Sequence, residues 1–247
     1  MLRRSLLHAI LLTFAGVSTV HAQEFWEKKK DYREWTEKDV KKMLEDSPWA
    51  RQQVFTGQFQ ASGRQGISQQ DSGREYHPQI TYRLQLRSAL PLRKALVRKM
   101  MFDARYDNMP AEQKQAFDNR AEQFLAADFS DRVIIHVAFS SNVQVDDREL
   151  NRYWQGPPPD ALKTSVYLLL PNGERIQPTN FVPNQTATSG QFQFVFSRSH
   201  NGELWLHPAD KQFSVTFPHP QLHGESDTRV FVEFKVQKML VDGQVMF

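Results

Sequence analysis

Eight histidines and 28 carboxylate side chains are the groups in this 247-residue chain that could do acid–base or metal chemistry. Spacing decides which of these is open to them. His219 and His223 stand four apart, the interval that brings two imidazoles to one metal on a helix. Pro218 and Pro220 flank the first of them and exclude helical geometry there. His200 and His207 lie on either side of Asn201-Gly202 and could face one another across a hairpin, but no third ligand accompanies them. The sequence therefore predicts turn or surface histidines and no metal site. Asp146, Asp147 and Glu149 cluster after an apolar run and could hold calcium or act as an acid and a base. The calcium-loop spacing and its glycine are missing, so we read them as first-turn charges of a helix over residues 147–154. Negative charge there stabilises by about 0.3–1 kcal/mol. Carboxylates distant in sequence could still meet as a glycosidase pair, a question that spacing does not decide.

Nucleophile and cofactor motifs are missing. A serine on a strained elbow needs Gly-x-Ser-x-Gly, which does not occur, and the chain has no cysteine. Neither phosphate-cradling nor dinucleotide-binding glycine patterns are present, so no cofactor and no catalytic residue are assigned. Two aromatics are the ligand-binding candidates. Trp154 precedes Gly156-Pro157-Pro158-Pro159, and Trp205 adjoins the Asn201-Gly202 turn; a flat ring near a loop can stack on a sugar. The competing reading is that large aromatics bury most of their area. Arg93, Lys94, Arg98 and Lys99 form a basic run that could meet anionic glycans or lipid head groups, or form a solvated helix face.

The elements that would position these residues change period along the chain. Residues 24–46 mix charges with apolar Val40, Met43 and Leu44, and predict a helix from about Glu37 capped by the Thr36-x-x-Asp39 pattern. Ser47-Pro48 ends it and Trp49 follows as an apolar plug. Its charge run could be a partner-binding arm or a solvated helix face. A strand is expected over residues 53–59, then a polar loop over 61–78. Ile80, Tyr82, Leu84 and Leu86 next alternate with polar residues as in a half-buried strand. Two amphipathic helices follow, the first with Leu92, Ala95, Leu96 and Met100 on one face. The second opens at Pro110 and carries Phe117, Ala121, Phe124 and Leu125. Residues 132–139 read as a strand covered on both faces. Further strands are expected over residues 164–170, 191–197, 213–217 and 230–236, with turns at Asn172-Gly173, Asn201-Gly202 and Asp242-Gly243. The whole predicts an α+β fold, mainly an antiparallel β-sandwich of about seven strands, Ig-like, with an N-terminal helix and a two-helix insertion. The domain plan is a signal peptide over residues 1–22, a helical arm over 23–48, and one domain over 49–247 with the insertion at 90–127.

Composition sets the compartment and excludes some partners. Arg3-Arg4, an apolar run over residues 5–20 and Val20-His21-Ala22 form a secretory leader with cleavage after Ala22. The apolar run is shorter than the roughly 20 residues needed to span hydrocarbon, so no stable membrane insertion is expected after cleavage. Loss of Arg3 and Arg4 leaves 29 basic against 28 acidic residues, which argues against nucleic acid as a partner. Without cysteine, stability must come from burial alone, for which the 18 phenylalanines supply large side chains.

Three blocks carry a resemblance: Ser47-Pro48-Trp49-Ala50-Arg51, Arg87-Ser88-Ala89-Leu90-Pro91-Leu92-Arg93-Lys94-Ala95, and Lys238-Met239-Leu240-Val241-Asp242-Gly243. With these the chain resembles a family of uncharacterised secreted bacterial proteins of about this length. The resemblance implies export and single-domain architecture, and no catalytic role. Physically, each block reads as a joint between elements. The sequence thus predicts a periplasmic or extracellular, non-catalytic binding or structural protein of the bacterial cell envelope, its partner an envelope protein or a glycan. The alternatives are a carbohydrate-binding module and a hydrolase with dispersed carboxylates.

Overall fold

Alternation along single strands becomes two antiparallel sheets in the computed structural model, which describes residues 24–29, 31–57, 77–155, 164–183, 190–200, 202–225 and 228–247. The expected leader, most of the expected 61–78 loop, Phe59 and the proline run at 156–159 lie outside the described residues. Strands β1 (Ala50–Thr56), β2 (Gln79–Leu86), β3 (Arg132–Ser141), β6 (Asn180–Val182) and β7 (Gln191–Ser197) form a five-stranded sheet in the order β1-β2-β3-β7-β6. Strands β4 (Tyr167–Leu169), β5 (Arg175–Ile176), β10 (Gln212–Pro218) and β11 (Arg229–Lys235) form a second sheet in the order β11-β10-β4-β5. Two small hairpins, β8 (Ser199–His200) with β9 (Glu203–Leu204) and β12 (Leu240–Val241) with β13 (Gln244–Val245), complete the strands. Helices α1 (Phe25–Lys28), α2 (Glu37–Glu45), α3 (Leu90–Asp103), α4 (Ala111–Ala126) and α5 (Gln144–Gln155) make the fold α+β. No helix among the described residues is long and apolar enough to cross a membrane.

The core follows from the period of two. Ile80, Tyr82, Leu84 and Leu86 are fully buried, as are Val133, Ile135 and Val137 of β3. Tyr82 stands opposite Phe139, and Ile135 opposite Phe194, in the hydrogen-bonded registers. Phe217 of β10 brings the second sheet to the first, its ring centroid lying 5.5 Å from Tyr82, 5.9 Å from Phe192 and 5.5 Å from Phe194. Fully burying one such ring contributes about 1.5–3 kcal/mol. The strand expected over residues 164–170 is reduced to Tyr167–Leu169, because residues 164 and 165 form a helical turn.

The N-terminal helices join the same core. Thr36 Oγ1 accepts from the Asp39 amide at 3.2 Å while Asp39 accepts from the Thr36 amide at 3.0 Å, the reciprocal cap read from the sequence. Val40, Met43 and Leu44 point inward from α2. Ser47 Oγ then donates to the Met43 carbonyl at 2.8 Å and accepts from the Trp49 amide at 3.2 Å, turning α2 into β1. Trp49 is fully buried, and its indole Nε1 donates to the Met246 carbonyl, tying this joint to the last residues of the chain.

The helical segment after β2 departs from the two simple stripes expected. Met100 is 43% exposed, whereas Arg93, assigned to a basic outer face, is buried. Its guanidinium donates to the carbonyls of Phe124, Leu125 and Ala127 at 3.0, 2.8 and 3.2 Å and lies 4.7 Å from the Phe129 ring centroid. Those carbonyls end α4 without helical partners, and a cation suits that negative end. Arg98 donates to the Trp35 carbonyl at 2.9 Å and covers Phe102, and Lys99 pairs with Asp103 at 2.6 Å. Of the four basic residues, which could meet glycans or lipid or form a solvated face, Arg93 and Arg98 bond to backbone carbonyls and Lys99 pairs with Asp103 at the surface. On α4 only Ala121 is buried, so its amphipathic pattern covers less than the spacing of its apolar residues suggests.

On the other face of the first sheet, Gln85, His136 and Gln193 stand in one cross-strand row. Gln85 Nε2 donates to the Leu44 carbonyl at 2.6 Å, joining the sheet to α2. Burial, with the Arg87 cation adding to it, lowers the His136 imidazole to about 3. His136 is thus neutral in the fold, while the unfolded chain takes up a proton near pH 6.5. Stability from this group is complete above about pH 6.5 and is lost as pH falls toward 3. Urea unfolding of wild type and His136→Gln should therefore diverge on acidification, wild type losing about 1 kcal/mol per pH unit relative to the variant between about pH 6 and 4. Parallel curves would contradict a buried neutral imidazole.

Candidate functional site

Two places gather the residues that could carry function. The first lies where the chain leaves β10 and crosses the end of the first sheet. Pro218 and Pro220 keep residues 219–225 out of helix, as the sequence indicated, but these residues pack inward as a strap and not outward as a turn. His219, expected at the surface, is 4% exposed, and its ring stacks on Phe55 of β1 with centroids 3.9 Å apart. The Tyr82 hydroxyl and His219 Nδ1 are 3.1 Å apart. Burial pushes the Tyr82 phenol well above its usual range, so it remains protonated beside Nδ1. His219 Nε2 faces Glu225 Oε1 at 4.0 Å.

Asp146 joins the strap from the first turn of α5. That helix begins at Gln144, three residues before the predicted start, and this earlier start swings Asp146 to the inside. Asp146 is fully buried. Its Oδ2 accepts from Ser141 Oγ at 2.9 Å and from His223 Nε2 at 2.5 Å. Asp147, beside it, takes the end-of-strand role by accepting from the Ser141 amide at 2.8 Å. Glu225 Oε2 accepts from the His223 amide at 2.9 Å. Asp146 lies in the first turn of α5, as the sequence indicated, and is also the buried partner of an imidazole 77 positions away. That pairing depends on tertiary contact and leaves no local sequence signal.

These six side chains form a connected series, Tyr82, His219, Glu225, His223, Asp146 and Ser141, of types that elsewhere move protons. Here their arrangement closes on itself. Ser141 Oγ donates to a carboxylate and accepts from the Val143 amide at 3.0 Å, so no imidazole stands against it as a base. Among the described residues no group of three or more His, Cys, Asp or Glu is disposed to hold a metal ion. The series acts as a clasp: its hydrogen bonds hold the strap onto β1, β2 and α5.

The tryptophans resolve differently from their predicted roles. Trp154 is fully buried, stacked on Phe192 at 4.1 Å and edge-on to Phe217 at 5.5 Å. Trp205 is 5% exposed, donates from Nε1 to the Ser197 carbonyl at 2.7 Å, and packs on Phe213 and Phe247. Neither keeps an open ring face, so neither can serve as a sugar-stacking platform. Position near a loop misled because both rings turn inward from the ends of their elements. His200 pairs with Glu174 at 2.7 Å, not with His207.

The second place is an open groove of about 1010 Å³. One wall is α1 and α2 with the following joint, contributing Trp26, Lys42, Asp46 and Pro48; the other is the end of β10 and β11, contributing Lys211, Lys235 and Lys238. Of the chain's five tryptophans, Trp26 alone is half-buried while the other four are buried. It meets Trp49 edge-on at 5.6 Å, and Lys42 Nζ lies 5.7 Å from its centroid. Lys42 pairs with Glu24 at 2.8 Å and Arg51 with Asp46 at 3.2 Å. Lys211, Lys235 and Lys238 are exposed and have no ion pair among the described residues. The groove was missed in sequence because Lys235 and Lys238 lie 24 and 27 positions from Lys211, and all three lie far from Trp26. Comparison with protein-family models, with curated proteins and with solved structures finds no match.

The clasp generates a prediction at the glycine under the strap. A methyl group at Gly57 would stand 2.4 Å from the His223 Cβ, a distance that non-bonded carbons do not adopt. Gly57→Ala should lower stability by about 1–3 kcal/mol in urea unfolding and shift the His223 ring resonances. Unchanged stability and unchanged resonances would contradict the strap's path over β1.

Proposed function

We propose that this protein is an exported, non-catalytic binding protein of the bacterial cell envelope. The observation that carries the reading is a division of labour. The acid, imidazole, phenol and hydroxyl groups that come together are locked into a mostly buried clasp, whereas an accessible groove is lined by Lys211, Lys235 and Lys238, which have no ion pair among the described residues. Binding needs an open, complementary surface; acid–base catalysis needs titratable groups in reach of a substrate. The resemblance of the joint blocks to secreted bacterial proteins supports export, as does the leader pattern over residues 1–22. Burial of rings from both sheets around Phe217 supports a β-sandwich with the helices packed outside it, built on six strands of seven or more residues among the described residues.

The hydrolase reading has one observation of its own, because Asp146 and Glu225 both reach His223. Their burial, 0% and 5% exposed, weighs against contact with a polymeric substrate. Expression with the native leader tests the reading as a whole. The protein should be recovered by osmotic shock with Gln23 as its first residue, and it should retain envelope glycan or protein without altering it. Recovery of the intact chain in the cytosol would contradict the localisation. Turnover of a glycan or ester that Asp146→Asn abolishes would contradict the non-catalytic role.

A further inference from the structure

We propose that the groove between α1–α2 and the β10–β11 end binds an acidic polysaccharide chain, one carboxylate-bearing sugar ring lying toward Trp26 and its neighbours' carboxylates meeting Lys211, Lys235 and Lys238. The inference deepens the binding-protein reading and rests on it. Size is the first argument. About 1010 Å³ lies at the top of the roughly 300–1,000 Å³ that small-ligand pockets occupy, and the groove is open, which suits several units of a chain.

Charge is the second. The lining holds five cations against three carboxylates. Lys42 and Arg51 are occupied by Glu24 and Asp46, so the cations left for a ligand are the three lysines. All three sit on a rigid mount. Lys235 pairs with Gln212 in the β10–β11 ladder, and the Val236 amide donates to the Lys211 carbonyl at 3.0 Å. Gln237 Nε2 donates to the Pro208 carbonyl at 2.6 Å and pins the turn that carries Lys238. Spaced point charges of this kind suit a repeating anion. Phosphate recognition favours the forked geometry of arginine or a nest of backbone amides, and the groove's arginine is already engaged by Asp46.

The aromatic floor is the third argument. Trp26, Pro48 and Leu240 give the groove an apolar strip beside the lysines. A pyranose ring has an apolar face and an edge that carries charge, and so matches both parts at once. An acidic peptide or a polyphosphate would satisfy the lysines and leave the strip without a partner.

Titration calorimetry with oligogalacturonate tests this, using the chain from residue 23, with neutral galactan oligomers, poly-glutamate and polyphosphate as comparators. Oligogalacturonate should bind, the neutral oligomer should not, and the two other polyanions should bind at least tenfold more weakly. The exposed triple variant Lys211→Gln, Lys235→Gln, Lys238→Gln should keep its melting temperature and lose affinity at least tenfold, with a smaller salt dependence; Lys238→Gln alone should show a partial loss. Tryptophan fluorescence should change on binding in the wild type and stay unchanged in Trp26→Phe. Equal affinity for all polyanions, or binding indifferent to the lysine variants, would overturn the groove assignment. Retention of a different envelope component by that same triple variant would overturn it while leaving the binding-protein reading standing. Oligogalacturonate cleavage would sink both.

Discussion

No cysteine is available to cross-link the sheets, so their union rests on ring packing around Phe217. That side chain, fully buried on β10, touches Tyr82 of β2 and Phe192 and Phe194 of β7, and Trp154 of α5 lies edge-on to it. Emptying such a position costs about 3–5 kcal/mol, a large share of the 5–15 kcal/mol that holds an ordinary domain folded. This contact shares the placing of the sheets with the Phe231 amide, which donates to Gln53 Oε1 at 2.7 Å between β11 and β1. It sets β10 against the first sheet, and so delivers the strap after Pro218 to β1 and α5. At the opposite end of the same strand it brings Lys211 to the groove.

A chain that relies on burial must also satisfy the polar groups it buries, and this one uses its chemically versatile residues to do so. Arg93 closes the open carbonyls of α4. Asp146 Oδ2 and Glu225 Oε2 accept from imidazole, hydroxyl and amide donors, while Asp146 Oδ1 has no hydrogen-bond partner among the described residues; a buried carboxylate with no donors at all would cost several kcal/mol. His136 enters the interior as the neutral ring. Groups that could perform chemistry at an open site are thereby committed to the fold. The lysine-lined groove faces solvent, where charge is cheap to hold because water reaches it.

Local rules in the sequence were enough for the strands, the caps and the turns. The alternation of Ile80, Tyr82, Leu84 and Leu86, the reciprocal Thr36–Asp39 cap and the positive φ of Asp242 and Gly243 in the last hairpin depend on residues within a few positions of one another. The sites were not legible, because each is made by contacts across 30 to 140 positions, as in Arg93 with Phe124 and Tyr82 with His219. Trp154 and Trp205 show the same limit from the other side. Their neighbours mark them as close to loops, but only the packing of Phe192 and Phe247 decides that their rings face inward. The proline-flanked histidines were rightly denied a helix, yet that argument says nothing of whether an extended segment lies outside or is strapped onto a sheet.

The N-terminal helices and both sheets share one core, and sharing it they should unfold together. Tryptophan fluorescence and far-ultraviolet circular dichroism, followed through one urea titration, test it directly. Trp26, Trp35 and Trp49 report on the N-terminal arm and joint, Trp154 and Trp205 on the body, and the backbone signal on both sheets. One shared core predicts a single transition with coincident midpoints by both probes. A fluorescence change complete before the backbone signal moves would show that the arm docks on an independently folded body, and would contradict the claim.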